Sequence, residues 1–310
     1  MGAVNRVLIT GASGFIGRAT VDAALDAGLE VVAVQRRGGA DRTGVTYVSA
    51  DLTVQDSVEV LTTALTGCDA VMHLAAAMSG DPEDHARLTV GGTERVISAM
   101  KRAGVGHLAL VSSLAVYDTS QVAIGGELTD TTPIVNPTNP RDAYSAAKAR
   151  QESLALTAGF DTVAVLRPGI VYDAQHLWNA HLGLGLGPCL FRAGSDDPLP
   201  MCHIQRCAAA LVQATLNRVH DTITLVDPRL PTRGDVIAEL QKAGWPKLVL
   251  PFPWQLVAGI ARLLGPISSS FPGLFRAPVL RQRLLPMTYG FAPPKGLDLP
   301  DPAPAWEATA

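Results

Sequence analysis

The sequence has 310 residues, of which 47% are hydrophobic, and a formal net charge of -3. This length supports one large α/β domain with an appended smaller lobe, and the near-neutral charge lacks the basic footprint of nucleic-acid-binding proteins. Cys68, Cys189, Cys202 and Cys207 fit neither a disulfide framework nor a zinc spacing. Neither a secretory leader nor an apolar run of about 18 residues is visible, so we expect a soluble cytoplasmic protein without a membrane span.

Short apolar runs and helical patterns alternate along the first two thirds of the sequence. Strands are predicted at 7–9, 30–34, 70–74, 107–111, 162–166 and 222–226. Helices are predicted among them at 16–27, 57–65 and 91–103. Repeated strand–helix units imply parallel strands covered on both faces, and right-handed crossovers then favour an α/β fold with a doubly wound Rossmann sheet.

The pattern changes after Pro168. Glycine, proline and apolar residues follow one another without a clear period through 183–200. A helix is predicted beyond them at 232–243, and an amphipathic or buried segment at 254–264. The tail from Phe291 is rich in proline and aspartate, so we expect it to pack poorly.

Three glycines follow the first predicted strand, in Thr10-Gly-Ala-Ser-Gly-Phe-Ile-Gly17. Gly11 permits a tight turn, Gly14 lets a pyrophosphate approach the backbone, and Gly17 lets the helix pack on the strand. The helix N-terminus adds free N–H groups and the positive end of its dipole. We therefore predict a dinucleotide site, with an ordinary glycine turn as the alternative. Its contacts are expected from Gly11, Ser13, Gly14, Phe15, Ile16 and Gly17.

The end of the second predicted strand indicates which nicotinamide cofactor is bound. A carboxylate there hydrogen-bonds the adenine ribose, whereas an arginine accommodates the extra phosphate of NADP. Gln35 takes the acidic position in this sequence, and Arg36 and Arg37 follow it. A guanidinium binds phosphate through charged hydrogen bonds. NADP is therefore predicted through Arg36, with NAD as the alternative cofactor and a solvated arginine loop as the alternative interpretation.

Asp51 and Leu52 follow a short strand and complete the predicted adenine side of the site. From this place a side chain can reach the adenine amino group. Asp51 could equally cap the helix that is predicted to begin near Ser57. The sequence leaves both interpretations of Asp51 open.

Tyr144 and Lys148 are the predicted centre of the chemistry. Transfer of a hydride to or from a carbonyl needs a proton moved at the adjoining oxygen. Residues four apart on a helix share a face, so the Lys148 ammonium is expected beside the Tyr144 phenol, where it would lower the tyrosine pKa. Ser112 and Ser113 end the strand at 107–111, at the sheet edge where ligands bind in open α/β folds.

The combination of these motifs resembles the extended short-chain dehydrogenase/reductase family, which includes nucleotide-sugar epimerases, dihydroflavonol-type reductases and hydroxysteroid dehydrogenase-like enzymes. The resemblance covers roughly residues 5–230. It includes the glycine loop, the serines, the Tyr-Lys pair, and the segments His73-Leu-Ala-Ala76 and Leu166-Arg-Pro-Gly-Ile-Val-Tyr172.

The resemblance implies a role for each site residue. Tyr144 would be the general acid/base, and Lys148 would bind the nicotinamide ribose and tune Tyr144. Ser113 would hydrogen-bond the substrate oxygen, with Ser112 as the alternative, and Pro168 would flank the nicotinamide. The remaining expected cofactor contacts are Leu74, Ala75, Ala76, Ser112, Tyr144 and Lys148.

Three departures from the family pattern limit which activities and contacts of the family are expected here. Leu114 and Ala115 stand where dehydratases of the family carry acidic residues, so dehydration is not expected. The usual acidic pair after a late histidine is replaced in His203-Ile-Gln-Arg206, which puts the usual polar contacts in doubt. Asp173 replaces a glycine after Tyr172.

The sequence thus predicts an NAD(P)-dependent oxidoreductase, first a reductase of a fairly apolar ketone. A nucleotide-sugar epimerase is the second interpretation, and a non-catalytic cofactor-binding scaffold is the third. Residues 1–168 are interpreted as the dinucleotide-binding domain, to whose sheet 222–227 return, and 169–310 as the substrate-binding lobe. A small-molecule substrate and no metal are expected, and the helices at 91–103 and 144–157 are candidates for a homodimer interface.

Overall fold

The computed structural model describes residues 2–39, 41–252, 283–284 and 286–302. Its strands in chain order are β1 Arg6–Thr10, β2 Glu30–Gln35, β3 Val45–Ser49, β4 Ala70–His73, β5 His107–Val111, β6 Glu127–Thr129, β7 Thr162–Pro168, β8 Ile170–Tyr172, β9 Gly183–Leu186, β10 Cys189–Ala193, β11 Met201–His203, β12 Asp221–Leu225, β13 Leu248–Phe252 and β14 Thr288–Gly290.

The helices alternate with the strands of the first part of the chain. They are α1 Phe15–Asp26, α2 Ser57–Ala64, α3 Pro82–Asp84, α4 Gly91–Ala103, α5 Ala143–Leu156, α6 Ile204–Leu216 and α7 Arg233–Lys242. A π-helical turn, His85–Val90, joins α3 to α4. Gly104 ends α4 with a left-handed φ of 71°, a conformation that glycine adopts without strain. Thr232 and Asp235 form a capping box at the start of α7.

A seven-stranded sheet in the order β12-β7-β5-β4-β1-β2-β3 forms the centre of the described part of the chain. Each neighbouring pair is parallel. The doubly wound prediction is confirmed, because the strand order proceeds in opposite directions from the boundary between β1 and β4. This boundary is the switch point at which open α/β sheets bind ligands, at the carboxyl ends of the strands.

Helices cover both faces of the sheet and bury two apolar layers. One layer joins β1 and β5 to α1 and α6, with Val21 and Leu211 buried between them. The other joins the same sheet to α2 and α4, with Leu61 and Met100 fully buried. Burial of both faces explains why the central strands are almost uniformly apolar rather than alternating.

Smaller sheets and a third core follow β7. The strands β13, β10 and β9 form one sheet, and β11 pairs with β8. Leu182, Leu190 and Val236 are buried among them. Helix α6 also lies in the predicted substrate-binding lobe, yet it packs against α1 and the central sheet. The division of the chain into two lobes stays a prediction.

The segment 286–302 returns to the first part of the chain. Strand β14 pairs in parallel with β6, and Leu297 and Leu299 pack against the core between α1 and α6. The Phe291 ring stacks on the buried Tyr117 ring, with 5.9 Å between their centroids. The expectation of poor packing from Phe291 onward was wrong for these residues, because single apolar side chains between the prolines reach the core.

The segment predicted at 254–264 lies outside the described residues. Within the ranges that the structure describes, no helix has the length and apolar character needed to cross a membrane.

Candidate active site

In the turn between β1 and α1, neighbouring backbone segments approach the glycines closely. Gly11 has a φ of 69°, and a Cβ atom there would stand 2.9 Å from the Ala75 nitrogen. A Cβ at Gly17 would collide with the Gly11 carbonyl oxygen. At Gly14 a Cβ would meet only the Gly11 oxygen, at 3.1 Å. The fold therefore requires glycine at positions 11 and 17, whereas a Cβ at Gly14 would make a single close contact.

The start of α1 is uncapped. Gly14 is the N-cap residue, and no side chain bonds the first amides of the helix. Free N–H groups beside an open glycine are the geometry that binds a phosphate. Phe15 and Ile16 form the first turn, where Ile16 packs on the core and the Phe15 ring lies 4.5 Å from the His176 ring. Ser13 is exposed, and its carbonyl accepts from Arg18. These residues fit a dinucleotide.

Thr10 ties the glycine turn to the end of β4. Its hydroxyl oxygen accepts hydrogen bonds from the Leu74 and Ala75 amides, at 3.2 and 3.3 Å. The predicted cofactor residues Leu74 and Ala75, with Ala76 next in the chain, therefore lie beside Gly11.

The ends of β2 and β3 form the predicted adenine side. Asp51 Oδ1 accepts hydrogen bonds from the Thr53 amide at 2.9 Å and the Thr53 hydroxyl at 2.8 Å. The bonds from Thr53 hold the pKa of Asp51 below its usual value, with a smaller contribution from the positive charge of Arg36. Asp56, not Asp51, is the N-cap residue of α2. The helix-cap interpretation of Asp51 was therefore wrong.

Arg141 and Asp142 join the turn after β5 to α5. The Asp142 carboxylate caps α5 by accepting from the Ser145 amide at 2.7 Å, and it pairs with Arg141 at 2.7 Å. Arg141 also donates to the Ala115 carbonyl oxygen at 2.9 Å. The turn after β5 and the first turn of α5, which carries Tyr144, are thereby fixed to one another.

The structure brings Ser113 and Tyr144 together. Both side chains are partly exposed, whereas Ser112 is buried. Burial in the cleft raises the pKa of Tyr144, and a hydrogen bond with the Ser113 side chain opposes that rise. The predicted lowering of the Tyr144 pKa by Lys148 is not found in this structure. The phenol is protonated at neutral pH and can donate a proton.

The Lys148 ammonium is directed toward the end of β5. Nζ donates to the Val111 carbonyl oxygen at 2.8 Å and to Gln151 Oε1 at 3.0 Å. Burial lowers the pKa of Lys148 to about 8, and Glu152 opposes that shift. Two of its three N–H groups are committed to these acceptors, which explains why the ammonium does not stabilise a Tyr144 phenolate as the sequence suggested.

A buried chain of hydrogen bonds leads from Thr10 to Lys148. Thr10 Oγ1 lies 2.6 Å from His73 Nδ1, and His73 Nε2 lies 2.9 Å from Thr93 Oγ1. Gln151 Nε2 donates to the same Thr93 oxygen at 2.8 Å. Burial lowers the pKa of His73 to about 3, with a smaller effect of Lys148, so the imidazole is neutral.

The Thr93 hydroxyl sets the direction of this chain. It donates to the Thr89 carbonyl oxygen at 2.6 Å, so its oxygen accepts from both His73 Nε2 and Gln151. His73 therefore carries its proton on Nε2, and Nδ1 accepts from Thr10.

Ser112 and Pro168 lie at the carboxyl ends of two neighbouring strands. The Ser112 amide donates to the Leu166 carbonyl oxygen at 2.7 Å, and Pro168 ends β7. Leu52 is anchored on the adenine side by Arg95 Nη1, which donates to its carbonyl oxygen at 2.9 Å. Among the described residues, three buried side-chain atoms lack any hydrogen-bond partner, namely Ser112 Oγ, Arg95 Nε and His85 Nδ1.

Sequence reasoning missed several residues of this site. Gln151 lies three positions after Lys148 on the same helix face, a spacing that could have indicated it. Thr93 and His85 come from the segment between β4 and β5. Their proximity to the Tyr-Lys pair depends on how α4 and the π-helical turn pack on α5, which no local pattern reveals.

Comparison with known proteins agrees with this geometry. The model of the NAD dependent epimerase/dehydratase family matches residues 7–175, from β1 through the Tyr-Lys pair. The chain belongs to the NAD dependent epimerase/dehydratase family. The chain is 32% identical over 177 residues to 4-hydroxy-2-methyl-3-oxo-4-farnesyl-3,4-dihydroquinoline-1-oxide ketoreductase of Stigmatella aurantiaca. This match covers 55% of the chain and 51% of the ketoreductase.

A second relative and a solved structure extend the comparison. UDP-glucose 4-epimerase of Streptomyces lividans is 31% identical over 154 residues, which cover 46% of this chain and 44% of the epimerase. The fold is similar to that of MoeE5 in complex with UDP-glucose and NAD, with a TM-score of 0.70, 20% identity, and coverage of 98% of this chain and 95% of MoeE5. The chain thus matches about half the length of each of these curated relatives.

Proposed function

We propose that this member of the family is an NADP(H)-dependent reductase of a ketone, working through Tyr144, Ser113 and Lys148. The observation that carries the proposal is the hydrogen-bonded, partly exposed Ser113–Tyr144 pair beside the carboxyl end of β5. A ketoreductase among the relatives supports the same class of reaction.

The chemistry divides among the three side chains. The bound nicotinamide supplies the hydride. Tyr144, which desolvation keeps protonated, donates its proton to the carbonyl oxygen, and Ser113 donates a hydrogen bond to the same oxygen. The third N–H of Lys148 is free of the acceptors Val111 and Gln151 and binds the nicotinamide ribose.

The cofactor lies along the carboxyl ends of the strands in this proposal. The uncapped start of α1 beside Gly14 would hold the pyrophosphate, and Ser112 and Pro168 would contact the nicotinamide. The unpartnered Ser112 hydroxyl is a buried donor that this cofactor would satisfy. The adenine end takes Asp51 and Leu52. The full proposed set adds Gly11, Ser13, Phe15, Ile16, Gly17, Arg36, Leu74, Ala75, Ala76, Tyr144 and Lys148.

Replacement of the phenol tests the reductase proposal. We expect Tyr144→Phe to lower kcat for an apolar ketone by about 100-fold or more, because the proton donor is lost, while the affinity for NADPH stays unchanged. Tyr47→Phe, on the remote strand β3, is the control and should keep full activity. Steady-state oxidation of NADPH and a fluorescence titration give the two quantities.

The same assay distinguishes a reductase from a nucleotide-sugar epimerase and from a non-catalytic scaffold. A reductase consumes NADPH in proportion to the alcohol formed. A nucleotide-sugar epimerase regenerates its cofactor, so epimerisation of UDP-glucose without net NADPH oxidation would replace our proposal. A scaffold would bind NADPH, reduce no ketone and give the same binding curve with Tyr144→Phe.

The proposed NADP preference depends on Arg36, which is exposed at the end of β2. Its positive charge lies near enough to Asp51 to help lower the pKa of that carboxylate. We expect Arg36→Ala to weaken NADPH binding about tenfold, the effect of losing a charged hydrogen bond, and to leave NADH binding unchanged. Arg37→Ala is the matched control. Equal affinities of the unmodified protein for NADH and NADPH would contradict the preference.

A further inference from the structure

The π-helical turn His85–Val90 brings an additional polar side chain to the site. The turn packs against α5, the helix that carries Tyr144. The His85 backbone amide donates to the Asp81 carbonyl oxygen at 3.2 Å. Asp81 in turn caps α3 by accepting from the Asp84 amide at 2.9 Å. His85 is therefore held in place at the start of the turn. Such turns are frequent at functional sites.

The His85 imidazole meets the Tyr144 ring edge to face. The ring centroids are 5.9 Å apart and the ring planes are inclined by 67°. The side chain is 4% exposed, and Nδ1 has no hydrogen-bond partner among the described residues. A buried polar atom without a partner destabilises the fold, so native structures contain few of them.

The polar side chains near His85 have hydrogen-bond partners, so the missing partner of Nδ1 is particular to His85 in this part of the site. The neighbouring chain of His73, Thr93 and Gln151 is fully hydrogen-bonded. The other two unpartnered atoms, on Ser112 and Arg95, lie beside proposed cofactor contacts. His85 Nδ1 differs from them because the His85 ring contacts Tyr144, the proposed proton donor.

We propose that His85 Nδ1 forms a hydrogen bond with a second oxygen of the substrate. Tyr144 and Ser113 both serve the carbonyl oxygen that is reduced, so His85 must bind a different substrate atom. An imidazole nitrogen donates or accepts according to its tautomer, and it therefore suits a carbonyl, ester or hydroxyl oxygen. This inference rests on the proposed reductase function and adds the substrate class, a ketone with a second oxygen function close to its carbonyl.

Two substitutions separate the hydrogen bond from the packing. Phenylalanine at position 85 retains a ring against Tyr144 but has no polar atom. Asparagine places a polar atom where Nδ1 stands and has no ring. The variants His85→Phe and His85→Asn are compared on two substrates of the same carbon skeleton, a 3-oxo ester and the corresponding plain ketone. Thermal unfolding and NADPH titration show that each variant is folded and binds cofactor.

We expect His85→Phe to lower kcat/KM for the 3-oxo ester about tenfold, the effect of one hydrogen bond to a ligand, mainly through KM. Its kcat/KM for the plain ketone should fall much less, because this substrate lacks the second oxygen. His85→Asn should keep most of the activity toward the 3-oxo ester. The Kd of the 3-hydroxy ester product, measured by calorimetry with NADP present, should follow the same order.

Two results would overturn the inference. An equal loss on both substrates with His85→Phe would assign His85 to the support of Tyr144 alone. Unchanged kinetics on both substrates would show that His85 contacts no substrate. Failure of the proposed function has a different signature, because the unmodified protein would then reduce neither compound.

Discussion

At the scale of single residues, Lys148 is a group whose charge depends strongly on its surroundings. Its ammonium is enclosed by α5 and β5 and donates to two acceptors. Burial lowers the pKa of Lys148 to about 8, so the side chain loses its charge within an accessible pH range. His73, with a pKa of about 3, stays neutral over that range.

This titration predicts a pH dependence of cofactor binding. In the proposed complex a charged Lys148 would attract the anionic cofactor and hydrogen-bond its ribose, so binding would favour the protonated form. We expect the Kd of NADPH to be lowest below pH 8 and to rise as the pH increases through about 8. Fluorescence titration over this range gives the profile.

Lys148→Met is the matched variant for this profile. It lacks the charge at every pH, so it should bind NADPH more weakly at neutral pH and show no change around pH 8. The two proteins should then have similar Kd values at high pH. An unmodified protein with the same Kd on both sides of pH 8 would contradict the assignment.

At the scale of elements, the glycines of the β1–α1 turn have separate tasks. Gly14→Ala adds a methyl group that meets only the Gly11 oxygen, at 3.1 Å, and the φ of -70° suits alanine. We expect a folded protein whose melting temperature is nearly unchanged and whose NADPH affinity is at least tenfold lower, because the methyl group occupies the phosphate space.

Gly17→Ala is the counterpart on the same turn. Its methyl group would collide with the Gly11 carbonyl oxygen and approach the Ala12 backbone to 2.9 Å. We expect a large decrease in melting temperature, because α1 must move away from the sheet. Equal melting temperatures of the two variants would contradict this division of roles.

The elements also show what local sequence can predict. The buried strands and α1 follow from apolar runs and the glycine spacing, and the predicted sheet is confirmed. Helix α5 begins one residue before Tyr144, where Asp142 provides a cap. The Tyr144 pKa was predicted wrongly because the direction of the Lys148 ammonium depends on Val111, a residue of another element. His85 was missed because the π-helical turn interrupts the helical period on which such patterns rest.

At the scale of the whole molecule, Arg206 connects three distant segments. This buried guanidinium on α6 donates to the Val226 carbonyl oxygen at 3.1 Å and to the Pro300 carbonyl oxygen at 3.0 Å. It thus fastens the segment 286–302 against the end of β12. Arg206 lies in the segment after His203 where the family usually carries an acidic pair, and it has this structural role here.

Removal of this connection should destabilise the fold. Arg206→Ala leaves two carbonyl oxygens without their charged donor, and we expect a loss of about 2 kcal/mol in the free energy of unfolding. The matched control is Arg102→Ala, because the Arg102 side chain is 56% exposed and its ion pair with Glu59 spans 3.8 Å. The control should change stability little. Chemical denaturation measures both, and an equal loss in the two variants would contradict the role of Arg206.

The hydrogen-bonded chain from Thr10 to Lys148 has a consequence for the supply of protons. Its direction is set by the Thr93 hydroxyl, and one of its members, Gln151, is an amide that does not exchange protons as water or a hydroxyl does. Protons therefore cannot hop along this chain from the interior to Lys148. If Tyr144 releases a proton in each catalytic cycle, the replacement does not come from the interior through this chain.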